Sequence, residues 1–208
     1  MARPKDKREN IISSASEIFG CKGFHQANIV DIADNAGIGK GTVYEYFKSK
    51  NELFVEVVKH NTQVYLERLT EDVLKGNGFH DKLNRYIAIH RQIIGENYES
   101  TGIFINTPSA LSVATENSQE VLKILFATRS KVVAIIKDIL LVGSDEQLIR
   151  SDDLDYTADI IFDMVSRNSI RGFQFSFSED SILKEQRKLI AFILFGLSKD
   201  TQTHAKGE

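Results

Sequence analysis

A chain of 208 residues, 42% hydrophobic and 26% charged, has enough apolar content for one or two compact domains with a proper core. A net charge of −3 argues against a protein coated in nucleic acid. The longest apolar run, Leu189 to Leu197, falls far short of the ~20 residues of a membrane span. The single cysteine, Cys21, allows no intramolecular disulfide framework and fits a reducing cytoplasm. The start, Met1 to Arg8, lacks the apolar core of a secretory signal. The expected location is the cytoplasm, with no membrane partner.

The charge is uneven. Residues 1–50 hold eight Lys and Arg against six acids, a balance of +2, so the remainder carries −5. A basic head on an acidic body suits a protein that meets phosphates with one end, although chance asymmetry reads the same way. No sustained period-2 alternation is present, and only Pro4 and Pro108 interrupt the chain, so the expected class is all-α.

The first helix is expected from about Lys5 to Lys22, with Ile11, Ile12, Ala15, Ile18 and Phe19 on one face. Gly23 should stop it, and Phe24 can then pack back on its end. Cys21 is expected inside as a small hydrophobe. Asn28 caps a second helix that turns Ile29, Ile32 and Ala33 inward and ends at Gly37. A third helix runs from Gly39 or Lys40 to Phe47 and buries Val43 and Phe47.

Ser49 to Glu52 reads S-x-x-E, a capping box. It opens a fourth helix, Lys50 to Leu74, with Leu53, Phe54, Val57, Val58, Val64 and Leu66 on its apolar side. Such a helix would join the N-terminal unit to the rest without a flexible linker. Gly76-Asn77-Gly78 breaks the chain before a helix from His80 to Asn97. A short helix is expected near Pro108–Ala114. Another runs from Ser118 to Val142 and ends at Gly143, followed by a polar loop to Asp153. Two last helices span about Leu154 to Phe173 and Asp180 to Ser198. The final one is apolar on more than one face and needs burial. Together with Ile160, Ile161, Phe162, Val165 and Ile170 of its predecessor, it points to a homodimer through the last two helices, with burial in one subunit as the alternative.

Two short helices joined by a Gly-containing turn have the shape of a helix-turn-helix, whose second helix enters the DNA major groove. Here that helix crowds cations, a hydroxyl and two tyrosines at one end: Lys40-Gly41-Thr42-Val43-Tyr44-Glu45-Tyr46-Phe47-Lys48. A phosphate-loop reading of Gly39 to Thr42 fails, because Asp34 stands where the first glycine belongs and no strand precedes. No two histidines share metal-ligand spacing and no catalytic pair stands out, so neither an enzyme nor a cofactor is expected.

The segment from Arg8 to Phe54 resembles the TetR/AcrR family of bacterial transcriptional regulators. The likeness rests on Ile12, Ala15, Phe19, Gly23-Phe24, Ile32-Ala33, Ala36-Gly37, Lys40 to Tyr44, Tyr46-Phe47, Ser49-Lys50 and Leu53-Phe54. It departs from the family at Ala27, Asn28 and Gly39, where hydroxyl residues are frequent. The resemblance implies a DNA-binding domain at 1–49 and a larger helical ligand-binding and dimerisation domain at 50–208. It implies a repressor that binds a palindromic double-stranded DNA operator as a dimer and is released by a small-molecule effector.

The residues fit those roles chemically. Lys40 can donate to guanine, Gly41 lets backbone approach a base, and Thr42 can reach phosphate. Tyr44 can touch a base edge, while Tyr46, Lys48, Lys50 and Asn28 would meet the backbone. The plainer readings are core packing for the tyrosines, solvated charge for the lysines and a simple cap for Asn28. Tyr86, His90, Ile94, Phe104, Phe126, Phe162 and Phe173 would line a largely apolar effector cavity, or be plain core. Lys82, Arg85, Arg91 and Arg129 could meet an acidic ligand, but read more readily as solvated. The rival reading is a helical small-molecule-binding or protein-interaction module whose N-terminal unit contacts a protein.

Overall fold

The computed structural model describes residues 4–101, 118–149, 153–174 and 178–197. Among them are eight helices and no strand: α1 (Pro4–Gln26), α2 (Ile29–Asn35), α3 (Lys40–Tyr46), α4 (Lys50–Leu74), α5 (Gly78–Thr101), α6 (Ser118–Asp145), α7 (Leu154–Gln174) and α8 (Glu179–Leu197). The fold is all-α, as its periodicity requires. The short helix expected near Pro108 lies outside the described residues. The chain divides into two compact units, residues 1–65 with 96–129 and residues 66–95 with 130–208.

The first unit is built on α1 to α3. Within the α1 span, Gly23 adopts φ 72°, ψ 161° and breaks the helical geometry where a stop is expected. The Phe24 ring then returns to lie 5.7 Å from Phe19 and 4.8 Å from Phe54. Asn28 caps α2 by accepting a 2.9 Å hydrogen bond from the Asp31 amide. The far end of α2 closes at Gly37, φ 67°. There the Gly37 amide donates to Asp34 and the Ile38 amide to Ala33, a two-bond helix stop that needs a left-handed residue.

Ile11, Ile12, Ala15, Phe19, Ile29, Ile32, Ala33, Val43 and Phe47 are all buried. Leu53, Phe54, Val57 and Val58 of α4 join the same core, together with Val121 and Leu125 of α6, so the packing extends past residue 49. Arg8 pairs with Glu56 and lies over the Phe47 ring at 5.2 Å, tying α1 to α4 and to the end of α3. Burial alone would push the Glu56 carboxyl up, but hydrogen bonds from Arg8 and Lys59 outweigh it and hold the group below its ordinary range. Cys21 is exposed rather than buried. It sits two residues beyond Phe19, off the inward face.

The Ser49–Glu52 box closes with a shift. The Ser49 hydroxyl accepts from the Glu52 amide at 3.1 Å, but the Glu52 carboxylate takes the Lys48 amide at 2.7 Å, one residue earlier than the reciprocal pairing. Further along α4, Val64 is exposed and Leu66 half-buried, contrary to the pattern expected. Tyr65, Leu69 and Val73, seven and then four residues apart from Val58 onward, hold the inner face.

The second unit buries Phe79, Leu83, Tyr86 and Ile87 of α5, Ile136, Ile139 and Leu140 of α6, and Ala158, Ile161, Phe162 and Val165 of α7. The α5 start is capped from afar, because the Glu146 carboxylate accepts the Phe79 amide at 3.1 Å. Gly143 does not end α6. A Cβ there would sit 2.8 Å from the Phe79 ring, so glycine makes room inside the helix. The helix stops at Gln147, φ 60°, with Leu148 donating to Gly143 and Gln147 to Ser144. This is the same two-bond stop as at Gly37, made with a residue that carries a Cβ.

Ile161, Phe162 and Val165 belong to this interior rather than to an outer face. Phe192 and Phe195 of α8 are 66% and 70% exposed, and Leu183, Tyr156 and Ile160 are exposed as well. No helix of the described residues is long and apolar enough to cross a membrane.

Candidate functional site

The α3 helix is only seven residues long, held from below by Val43 and followed at once by buried Phe47. Gly39 provides its N-cap without a side-chain bond. What remains on the outside is Lys40, Gly41, Tyr44 and Glu45, with Thr42 and Tyr46 half-buried. Tyr46 packs against the first core, whereas Tyr44 is 45% exposed. The Lys40 ammonium lies 5.8 Å from the Tyr44 ring centroid, within cation–π range, so the two form one protruding pair. Around Gly41 a Cβ would meet nothing within 4 Å, and around Gly39 likewise. Internal packing therefore gives no reason for glycine at 41.

The basic residues of this unit separate into two groups. Arg8 is bound to Glu56, and Lys22 is 2.7 Å from Asp31, whose carboxyl this hydrogen bond lowers. Lys50, expected to face phosphate, donates to the carbonyls of Phe24 and Ala27 at 2.9 Å each and lies 4.5 Å over the Phe24 ring. Two of its three N–H donors are thus spent on holding the turn before Asn28 to the start of α4. Lys40 and Lys48 are exposed. Asn28 is exposed too, and its cap uses only Oδ1.

The residues expected to line an effector cavity are scattered. Tyr86, His90 and Phe162 do come together in the second unit, with ring centroids 5.6 Å and 6.1 Å apart along the row. All three are buried, as is Ile94. His90 Nε2 lies 3.3 Å from the Ser166 hydroxyl, and burial pushes its pKa down to about 4. It is a neutral interior histidine. Phe126 belongs to the first unit and is 66% exposed. Phe104 lies outside the described residues, as does the side chain of Phe173.

Sequence reasoning passed over a small cavity on the second unit. It is bounded by Arg91 of α5, Asn168, Ser169, Arg171 and Gly172 of α7, and Ile182 and Glu185 of α8. Arg91 is among the residues that could meet an acidic ligand, but it reads more readily as solvated, because nothing in the sequence marks α7 and α8 as its neighbours. Its Nη1 is buried, without a hydrogen-bond partner among the described residues. Among those residues no cluster could hold a metal ion.

Residues 11–57 match the family of bacterial regulatory proteins designated tetR. The chain is 31% identical over 94 residues, 45% of its length and 48% of the relative's, to a fatty acid metabolism regulator protein of Bacillus subtilis. It is 39% identical over 59 residues, 28% and 27% of the two chains, to the HTH-type transcriptional activator FasR of Mycolicibacterium smegmatis. It thus spans about half, or less, of the curated relatives it matches. The crystal structure of the transcriptional regulator FadR from Bacillus subtilis in complex with stearoyl-CoA superposes with a TM-score of 0.70 at 21% identity, over 91% of this chain and 98% of that one. This likeness extends the shared fold well beyond the matched segment. The helix-turn-helix segment, residues 11–57, is thus similar to the tetR family of bacterial regulatory proteins, and the rest of the chain shares the fold of the structural neighbour.

Proposed function

We propose that this chain is a dimeric, ligand-responsive repressor that binds a near-palindromic operator in double-stranded DNA and is released by a small, largely apolar molecule. The observation that carries the DNA reading is the outer surface of α3. Lys40, Gly41 and Tyr44 protrude together, and the open space around Gly41 leaves its missing side chain explained by an outside partner. Lys40 and Tyr44 would read base edges, while Thr42, Tyr46, Lys48 and the Asn28 amide would meet phosphate. Lys50 would act chiefly by holding the turn that presents Asn28. With a helix this short, side chains rather than the helix-end field would supply the contacts.

The division of labour would follow the α3–α4 junction, with 1–49 reading DNA and 50–208 sensing and pairing. Two copies would meet through α7 and α8, because Tyr156, Ile160, Leu183, Phe192 and Phe195 form apolar surface that a single chain leaves exposed. The second unit would take the effector, next to the Tyr86–His90–Phe162 row. An effector with an apolar chain accords with the stearoyl-CoA held by the structural neighbour. Repression is favoured because it needs only occupancy of the operator, whereas activation needs a further surface for the transcription machinery. The setting would be the cytoplasm.

Selection of the tightest binders from random duplex DNA, with a salt titration, tests this reading. It expects a near-palindrome with half-sites about one helical turn, or a multiple, apart, and affinity that falls steeply with salt. Sequence-blind or absent binding would overturn it in favour of a protein-contacting head.

A further inference from the structure

The cavity between α5, α7 and α8 carries an inference beyond the DNA-reading face. A guanidinium nitrogen is strongly hydrated in the unfolded chain, and removing it from water without a partner is costly. Arg91 Nη1 is in that position among the described residues, at a cavity of roughly 10 Å³, room for about one water-sized group. The second cation at the cavity is Arg171, which is exposed. The one carboxylate there, Glu185, is already answered by Lys188 at 2.8 Å. Asn168 adds a side-chain amide, and Ile182 supplies an apolar flank.

We propose that this cavity is a subsite for the anionic end of an amphipathic small molecule, with Arg91 as principal partner and Arg171 as the second positive group. One oxygen of a carboxylate or a phosphate monoester fits, since either presents an oxygen that can accept a charge-assisted hydrogen bond from the buried Nη1. The size of the cavity admits one such oxygen and leaves the rest of the molecule outside, where Ile182 would give an attached alkyl chain its first apolar contact. As the headgroup site of an effector, it rests on the ligand-responsive reading. As a binding site, it stands without it.

Calorimetric titration of the full chain with decanoate, decyl phosphate and uncharged decanol, each kept below its aggregation concentration, tests the subsite directly. At least one anion should bind about tenfold or more tighter than decanol. The tighter of the two identifies the headgroup as carboxylate or phosphate. Arg91→Gln should abolish that preference while leaving decanol binding unchanged. Arg171→Gln, at an exposed position where folding is not at risk, should reduce the preference by a smaller factor. Equal affinity for the three probes, no binding by any of them, or a preference that survives both substitutions would overturn the proposal. Operator affinity measured in the same samples separates the two readings. Anion binding that leaves DNA affinity unchanged supports the subsite and removes its role as an effector site.

Discussion

The two units use the same helical chemistry to opposite ends. In the first, the interior is finished by Val43, Phe47 and their neighbours, and the residues of interest, Lys40, Gly41 and Tyr44, stand outside it without an internal task. In the second, the aromatic residues that looked functional, Tyr86, His90 and Phe162, are the interior itself. The same contrast appears in the helix stops. The α2 stop places glycine at the left-handed position, Gly37, while the α6 stop forces Gln147 into it. An outer face of this kind can therefore be altered without unfolding the protein, whereas aromatic residues that are the core itself cannot.

Phe47→Ala gives the largest effect. Emptying that buried site should cost on the order of 3–5 kcal/mol of stability. Denaturant unfolding and DNA binding should fall together, and intact stability would show that the head lacks the cooperative core described. Next comes acid. His90 is held neutral with a pKa of about 4, against 6.5 for an ordinary histidine. Its folded pKa is depressed, so its stabilising share is complete above pH 6.5. That share is lost as pH falls toward 4, where protonation of the unfolded chain costs about 3 kcal/mol. His90→Gln should flatten the stability profile in that window. A profile unchanged by the substitution would place the histidine in contact with water.

Gly41→Ala sharpens the contrast at lower cost. The added methyl meets nothing and improves helix propensity, so stability should rise by up to about 1 kcal/mol while operator affinity drops. A rise in both would remove Gly41 from the interface. The smallest effect belongs to Gln147→Gly, which relieves the left-handed strain and should raise the unfolding midpoint by the equivalent of about 1 kcal/mol or less. A fall would mean that the Gln147 side chain contributes more than its backbone costs.

The head was readable from sequence because its punctuation is local. Asn28 caps, Gly23 and Gly37 stop, and the inward faces of α1 to α3 follow from spacing alone. Three things were not local. Lys50 looks like any lysine at a helix start until the carbonyls of Phe24 and Ala27 are folded against it. Gly143 looks like a stop, yet its missing side chain serves Phe79, more than sixty residues away in sequence, while the real stop is a glutamine that no pattern marks. In α4, Val64 and Leu66 are more apolar than Tyr65, and only the packed neighbours show that the tyrosine, not the valine, faces inward. The proposed effector site is least legible for the same reason: aromatic spacing is identical for core and cavity, and the unpartnered nitrogen of Arg91 depends on three helices meeting.

The most direct measurement is Tyr44→Ala on the selected operator, with unfolding followed in parallel. Tyr44 should contribute about 1–3 kcal/mol to DNA affinity and relax base preference at one position, with the unfolding midpoint unchanged. Unchanged affinity, or a loss matched by unfolding, would contradict the claim that the outer face of α3 reads DNA.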